Sequence, residues 1–217
     1  MDDRSRPRAA SRVRAVFLDA GNTLLRMNYA VITAELAVRE IRVTADDVQR
    51  AEWQARVRLD EEVFARRAPG ASTESGSTGG RYLRFLLEGL GVRDEATVEA
   101  LGAWRRAYNP PVGLWNTADP DAEAALCLLR ASGARAAVIS NSNGSVRSIL
   151  ETLGLAGYLD FVIDSSEVGF EKPDPRIFRL ALERAGIGPR DAVYIGDLYS
   201  VDVAGARAAG MDAVLLD

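Results

Sequence analysis

Residues 13–25, VRAVFLDAGNTLL, decide the fold of this 217-residue chain. They open with an apolar run, residues 15–18, which predicts a short strand buried on both faces of a parallel sheet. The run ends at Asp19, and the following Gly-Asn-Thr sequence is typical of a tight loop. A carboxylate at the carboxyl end of a buried strand lies where open α/β sheets bind their ligands. An Asp that only caps the loop is the alternative, and the later segments decide between the two.

Downstream of residue 109, short apolar runs alternate regularly with helical segments. Alternation of this kind predicts an α/β fold, in which a parallel sheet is covered by helices on both faces. We predict strands at residues 136–139, 161–163, 192–195 and 213–216, and helices at residues 119–133, 144–153, 174–186 and 201–209.

Residues 28–109 have a different texture and predict an all-helical insert after the first strand. The apolar spacing predicts four helices: residues 29–40, residues 44–63, residues 81–90 and residues 94–108. Residues 68–80 are rich in Gly, Ser and Thr and predict a flexible loop. The Arg-rich residues 1–12 predict a disordered tail. The chain is thus divided into that tail, a core of residues 13–27 and 110–217, and a helical domain of residues 28–109.

The composition excludes several classes of function. A net charge of −4 and a pI near 5.1 argue against a nucleic-acid partner. No apolar stretch reaches the roughly 18 residues of a membrane span, so no membrane partner is expected. A single cysteine, Cys127, fits a reducing cytoplasm. The chain has no histidine, which excludes a His-based triad or a His-ligated metal within it.

One lysine, Lys172, stands among 27 basic residues, and all the others are arginine. Lysine and arginine differ in shape, hydration and pKa. The exception therefore indicates a site that needs a compact ammonium.

Four polar clusters follow predicted strands. Asp19 follows the first strand, residues 140–144 (SNSNG) follow the second, residues 171–175 (EKPDP) lie beyond the third, and residues 196–202 (GDLYSVD) follow the fourth. The carboxyl ends of parallel strands share one edge of the sheet, so we expect the clusters to meet in one crevice.

These residue types favour phosphate chemistry. Asp19 and Asp197 offer the hard oxygen ligands that Mg²⁺ prefers, and Asp202 is placed to orient them by hydrogen bonds. The Ser140 hydroxyl suits phosphate oxygens, and Lys172 would offset the repulsion between the carboxylates and an anionic substrate. An Asp can also act as a nucleophile through an aspartyl-phosphate.

The combination D-x-x-x-T, Ser after the second strand, K-P-D-P and G-D-x-x-x-x-D resembles the haloacid dehalogenase superfamily. The resemblance implies a Rossmann-like sheet with a substrate-selecting helical cap, and a Mg²⁺-dependent phosphatase. For the metal site, the resemblance implies that Asp19 is both nucleophile and metal ligand, with the main-chain carbonyl of Gly21 and the carboxylate of Asp197 as further ligands and Asp202 as their support. For the substrate, it implies that Ser140 and Asn141 bind the phosphate and that Thr23 supports the loop beside it. Lys172 would stabilise the charge.

The sequence departs from the family pattern at Gly21. Phosphatases of this family usually read D-x-D-G-T, and the second Asp protonates the leaving oxygen. Loss of a general acid typically costs on the order of 10²–10⁴ in rate. The cost is heavy for alkyl phosphates and light for acyl phosphates, which leave well unaided.

The sequence therefore predicts a Mg²⁺-dependent hydrolase that acts on a small phosphorylated metabolite. A non-catalytic member of the fold that binds phosphate or a partner protein is the alternative. A 2-haloacid dehalogenase is a third interpretation, but such enzymes carry Tyr at the Gly21 position and use no metal, which fits Asp197 and Asp202 poorly. Nothing in the sequence selects a particular substrate or an oligomeric state.

Overall fold

The computed structural model describes residues 13–66, 72–109 and 112–216, and its centre is a five-stranded parallel sheet. The strands are β1 Ala15–Leu18, β4 Arg135–Ser140, β5 Phe161–Asp164, β6 Ala192–Gly196 and β7 Asp212–Leu215. They pair in the order β5-β4-β1-β6-β7. The predicted α/β fold is confirmed. Because β1 lies in the middle of the sheet, all four of its side chains are buried.

Helices cover both faces of this sheet. Successive residues of a strand point to opposite faces, so Ala15 and Phe17 join one hydrophobic cluster while Val16 and Leu18 join another. The first face packs against α8 Pro175–Ala185 and α9 Ala204–Ala208, and the second packs against α5 Ala122–Ser132 and α6 Val146–Thr152.

The predicted helical insert has a hydrophobic cluster of its own, formed by residues such as Leu36, Val48, Leu86 and Leu101. Its helices are α1 Tyr29–Val38, α2 Ala45–Leu59, α3 Gly76–Gly89 and α4 Glu95–Tyr108, and a π-helical turn, Asp60–Phe64, extends α2. The Thr44 side chain and the Asp47 side chain form a reciprocal capping box at the start of α2.

The insert leaves and rejoins the core through two short strands that the sequence did not predict. These strands, β2 Leu25–Arg26 and β3 Thr117–Ala118, pair antiparallel. The Arg26 Nε donates to Asp119 Oδ2 at 2.6 Å beside them. This pairing brings the two ends of the insert together at the end of β1, next to Asp19.

Several predicted boundaries were wrong, each for a local reason. The predicted loop of residues 68–80 ends early, because Ser75 caps α3 and the helix already includes Gly76. Asp119 does not cap α5, which starts at Ala122. Gly144 precedes α6 because it has φ 96°. A π-helical turn, Tyr199–Val203, precedes α9, and a short helix, α7 Ser165–Val168, was not predicted.

Three sequence-based predictions concern residues outside the described ranges. They are the disordered tail of residues 1–12, the first part of the predicted loop up to residue 71, and the exact boundary at residues 110–111. Among the described residues, no helix is both long and apolar enough to cross a membrane.

The packing of α9 on α8 gives a stability prediction. A Cβ at Gly205 would lie 2.6 Å from the Phe178 ring and 2.9 Å from the Pro173 Cα, so Gly205→Ala forces backbone to move. We expect it to lower the free energy of unfolding by about 1–3 kcal/mol in urea denaturation. Gly80→Ala is the matched control, since it is also helical but meets no atom within 4 Å. It should instead raise that free energy by roughly 0.5–1 kcal/mol, and equal losses in both variants would contradict the packing argument.

Candidate active site

Three neighbouring strands bring the predicted site residues to one edge of the sheet. Asp19 directly follows β1, Ser140 ends β4, and Asp197 directly follows β6. The backbone N–H of Asp19 donates to the Ile195 carbonyl of β6 at 2.8 Å, which holds the ends of the two strands in register. The order β4-β1-β6 therefore places these three side chains side by side.

Lys172 lies at the centre of this edge, on the loop before α8, and is 3% exposed. Its Nζ donates to Asp19 Oδ1 at 2.6 Å, to Asp202 Oδ1 at 2.7 Å and to the Tyr194 hydroxyl at 2.9 Å. An ammonium has three donors, and here each has an acceptor. Burial acts to lower the pKa of Lys172, but the two carboxylates outweigh it and hold the pKa above its ordinary value.

Both carboxylate oxygens of Asp202 accept hydrogen bonds within this arrangement. Its Oδ1 also accepts from the Tyr194 hydroxyl at 3.1 Å, and its Oδ2 accepts from the Leu198 N–H at 3.0 Å. The glycine at position 196 makes room for it, since a Cβ there would lie 2.5 Å from the Asp202 carboxyl carbon. Asp202 thus ties Lys172 to the loop that carries Asp197.

Asp19 and Asp197 are the two carboxylates that keep oxygens available. Burial raises the pKa of Asp19 to about 6, with Lys172 opposing the shift and Asp202 adding to it. Burial and the charges of Asp202 and Asp19 raise the pKa of Asp197 well above its ordinary value, and Arg56 opposes this. Both shifts arise because several carboxylates crowd a poorly hydrated space, which is an arrangement that a bound cation would relieve.

The donor set fits a hard divalent cation. Oxygens of Asp19, Asp197 and Asp202 lie within 4.8 Å of one another. Asp202 already accepts hydrogen bonds from Lys172, Tyr194 and Leu198. Asp19 and Asp197 are therefore the carboxylates suited to bind the cation. Mg²⁺ prefers to bind one or two carboxylates and to complete its coordination with water and phosphate oxygens. Gly21 stands in the same loop and lines the same cavity.

The predicted substrate-binding residues differ in the hydrogen bonds that they make within the protein. The Ser140 side chain is buried and contacts the Asn141 carbonyl at 3.3 Å. The buried Thr23 hydroxyl has no hydrogen-bond partner among the described residues, and Thr23 is not one of the residues that line the cavity over the site. The Asn141 side chain is not free, because it accepts from the Lys172 N–H at 2.7 Å and donates to the Lys172 carbonyl at 2.9 Å. Its amide therefore positions Lys172, and Asn141 also lines the cavity over the site.

The helical insert contributes site residues that the sequence analysis missed. Arg56 lies 3.5 Å from Asp197 Oδ2, and that oxygen also accepts from the Asn22 amide at 3.2 Å. The same amide donates to the fully buried Glu52 at 3.1 Å, and Trp115 Nε1 donates to the Asn22 Oδ1 at 2.9 Å. Asn22, with φ 53°, is thus the junction between core and insert.

A signal for two of these residues was present in the sequence. Glu52 and Arg56 are four residues apart on α2, on the helix face that also carries the buried Ala51 and Ala55. Two charged residues on an apolar stripe are rare unless they are paired or functional. The tyrosine hydroxyls of Tyr82 and Tyr29 also donate to Glu52, and these partners could not be read from spacing.

A cavity of about 430 Å³ lies between the strand ends and the helical insert. Its core wall contains Asp19, Lys172, Asp197 and the 140–143 loop. Its opposite wall contains Arg56 of α2 and residues of α3 and α4. Its volume falls in the range of pockets for small molecules.

Comparison with known proteins places this geometry in a family context. A family model described as haloacid dehalogenase-like hydrolase matches residues 13–210. A bovine relative, haloacid dehalogenase-like hydrolase domain-containing protein 3, is 31% identical over 208 residues, which are 94% of this chain and 82% of the relative.

Named enzymes are among the similar proteins as well. Glyceraldehyde 3-phosphate phosphatase of Methanothermobacter thermautotrophicus is 30% identical, covering 94% of this chain and 86% of the relative. The crystal structure of a 2-haloacid dehalogenase from Pseudomonas syringae is 28% identical, with a TM-score of 0.52 over 94% of this chain and 86% of that one.

The Lys172 contacts predict strong energetic coupling at the site. Lys172→Met should lower the free energy of unfolding by about 3–5 kcal/mol, because it leaves two buried carboxylates without their cation. Adding Asp202→Asn to that variant should cost less than Asp202→Asn costs in the wild type, since the repulsion is then reduced. Urea denaturation of the four proteins of this cycle measures the coupling. Additive losses would show that Lys172 and Asp202 do not stabilise each other.

Proposed function

Because the chain belongs to the haloacid dehalogenase-like hydrolases, we propose that it is a Mg²⁺-dependent phosphatase of small phosphorylated metabolites that works through an aspartyl-phosphate on Asp19. The observation that carries the proposal is the placement of the Asp19 carboxylate. One of its oxygens is held by Lys172 at 2.6 Å, and the residue lines a cavity large enough for a small substrate. Relatives named as phosphatases, such as the glyceraldehyde 3-phosphate phosphatase, support the same activity.

In the proposed first step, the free oxygen of Asp19 attacks the phosphorus atom. The bond from phosphorus to the leaving oxygen breaks, and the electron pair goes to that oxygen. Lys172 holds the carboxylate in the attacking orientation and offsets the negative charge that accumulates between Asp19 and the phosphoryl group. The Ser140 hydroxyl lines the cavity and is the donor that would contact the phosphoryl oxygens, while Thr23 would support the loop beside them.

In the second step, water attacks the phosphorus of the aspartyl-phosphate and the bond from phosphorus to the Asp19 oxygen breaks. The electron pair of that bond restores the Asp19 carboxylate, the proton of the water passes to solvent, and inorganic phosphate is released. Mg²⁺, held by Asp19, Asp197 and the Gly21 carbonyl, would supply positive charge next to the transferred phosphoryl group. Asp202 would act through Lys172 and the loop of Asp197, which it fixes by its hydrogen bonds.

The absence of a carboxyl group at position 21 limits the leaving groups. With glycine there, no side chain at position 21 can protonate the leaving oxygen. We therefore propose that the enzyme favours substrates with weakly basic leaving groups, such as acyl or aryl phosphates. The Trp115 ring lies beside this position, 3.4 Å from where a Cβ of residue 21 would be.

Trapping of a phosphoryl mimic tests the nucleophile. With Mg²⁺ and beryllium fluoride, the wild type should form a stable complex, visible as a ¹⁹F resonance and a raised melting temperature. Asp19→Asn should abolish the signal, and Asp197→Asn should weaken it sharply at equal Mg²⁺ concentration. If the wild type neither traps the fluoride nor hydrolyses acetyl phosphate above the Asp19→Asn background, the phosphatase proposal is wrong. The alternative interpretation, a non-catalytic member of the fold that binds phosphate or a partner protein, would then remain.

Restoring the missing acid tests the leaving-group argument. The φ of Gly21 lies outside the left-handed region, so the backbone accepts an Asp side chain, and its Cβ meets Trp115 only at ordinary contact distance. Gly21→Asp should raise kcat/KM for an alkyl phosphate by roughly 10²-fold or more and change that for acetyl phosphate little. Gly21→Asn is the control, because it fills the same space without a dissociable proton. If Asn raises the alkyl rate as much as Asp does, proton donation is not the reason.

A further inference from the structure

Two of the basic side chains that line the cavity have no ion-pair partner among the described residues. Lys172 is paired with Asp19 and Asp202, and Arg56 faces Asp197. Arg105 and Arg106, on the opposite wall, form no ion pair with any carboxylate in residues 13–66, 72–109 and 112–216. On the core side of the cavity, three carboxylates meet one ammonium, whereas the insert side carries Arg56, Arg105 and Arg106 and one carboxylate, Glu74. The insert side is therefore net positive.

Arg105 lies in the last turn of α4 and lines the cavity. Its guanidinium donates to the Gly79 carbonyl on α3. Arg105 is partly buried, and this burial lowers the pKa of its guanidinium. A guanidinium that is desolvated without a carboxylate partner is costly unless an anion binds it.

Gly79 makes this placement possible. A Cβ at position 79 would lie 2.5 and 2.6 Å from the two terminal nitrogens of Arg105. Glycine inside a helix costs roughly 0.5–1 kcal/mol relative to alanine. The sequence accepts that cost at a position where alanine would displace the Arg105 guanidinium from the cavity wall.

Glu74 is the acidic group of the cavity that faces Arg105, and it does not neutralise it fully. Partial desolvation and the negative charges of Glu171 and Asp164 raise the pKa of Glu74 to about 7. Glu74 and Arg105, both within the described residues, also form no ion pair with each other. The Tyr82 hydroxyl, which also lies near Arg105, already donates to Glu52.

We infer that Arg105 binds a second anionic group of the substrate, so that the enzyme selects small phosphomonoesters that also carry a carboxylate or a second phosphate. This inference rests on the proposed phosphatase function. The reacting phosphate lies at Asp19 and Lys172, and the second anion reaches the opposite wall of the same cavity. A guanidinium suits this role, because its fork of donors binds carboxylate and phosphate oxygens in pairs. Arg106, exposed at the rim, adds positive potential at the entrance.

Matched substrate pairs test this inference. 3-Phosphoglycerate and glycerol 3-phosphate differ in a carboxylate against a neutral hydroxymethyl group, and propane-1,3-diol bisphosphate and its monophosphate differ in a second phosphate. In at least one pair, the wild type should prefer the substrate that carries the second anionic group, by about tenfold or more in kcat/KM. The pair that shows this preference identifies the anion. Arg105→Gln should reduce that preference to about twofold or less.

Two further variants guard the interpretation. Arg130→Gln removes an exposed arginine from the last turn of α5, outside the cavity, and should keep the wild-type preference. Gly79→Ala should reduce the preference as Arg105→Gln does, because it displaces the same guanidinium, while α3 gains a better helix former. The inference is overturned if neither pair shows a preference, or if the preference survives in both Arg105→Gln and Gly79→Ala.

A binding measurement separates this outcome from a failure of the proposed function. If the wild type hydrolyses none of these phosphates, calorimetry with 3-phosphonopropanoate and propylphosphonate compares the same two ends without turnover. Binding of the first compound should be tighter by about tenfold, and Arg105→Gln should remove the difference. Equal binding of both compounds by the wild type would overturn the role of Arg105, whatever the protein catalyses.

Discussion

The ion cluster around Lys172 is the interaction on which the rest of the site depends. Three carboxylates, those of Asp19, Asp197 and Asp202, meet at one edge of the sheet, and like charges so close together in a poorly hydrated space repel strongly. One ammonium with three acceptors offsets much of that repulsion. A planar guanidinium could not reach the same three oxygens from one nitrogen, which explains why a chain that uses arginine elsewhere has lysine here.

The cluster is also what connects the core to the helical insert. Asp197 accepts from Asn22 and faces Arg56, and Asn22 reaches the fully buried Glu52. A second link lies beside it, where the Ser200 N–H donates to Asp60 at 3.0 Å. Buried polar networks stabilise only when every member has a partner, so the position of the insert and the state of the carboxylates are coupled. Changes in the insert should therefore be felt at Asp197.

The two walls of the cavity hold their charged groups in different ways. On the core wall, the strands, Lys172 and Asn141 fix the carboxylates with short hydrogen bonds, which suits a reaction centre that must not move. On the insert wall, Arg105 is held by a single main-chain contact beside Gly79, and the glycines there leave space. The Asp19 carboxylate and the Arg105 guanidinium thus depend on different elements for their positions.

The sequence by itself determined the sheet, the positions of its strands, and the edge at which the polar clusters meet. It did so because strand periodicity, helix caps such as Thr44 and Asp174, and the solitary Lys172 are local signals. Only the tertiary structure decided how Asn141 is used, which charges pair across the core and the insert, and which remain unpaired. Glu52 lies 30 residues from Asn22, and Arg105 lies 26 residues from Gly79. Arg56 and Asp197 are still farther apart along the chain. No local pattern encodes a pairing between elements that meet only after the chain has folded.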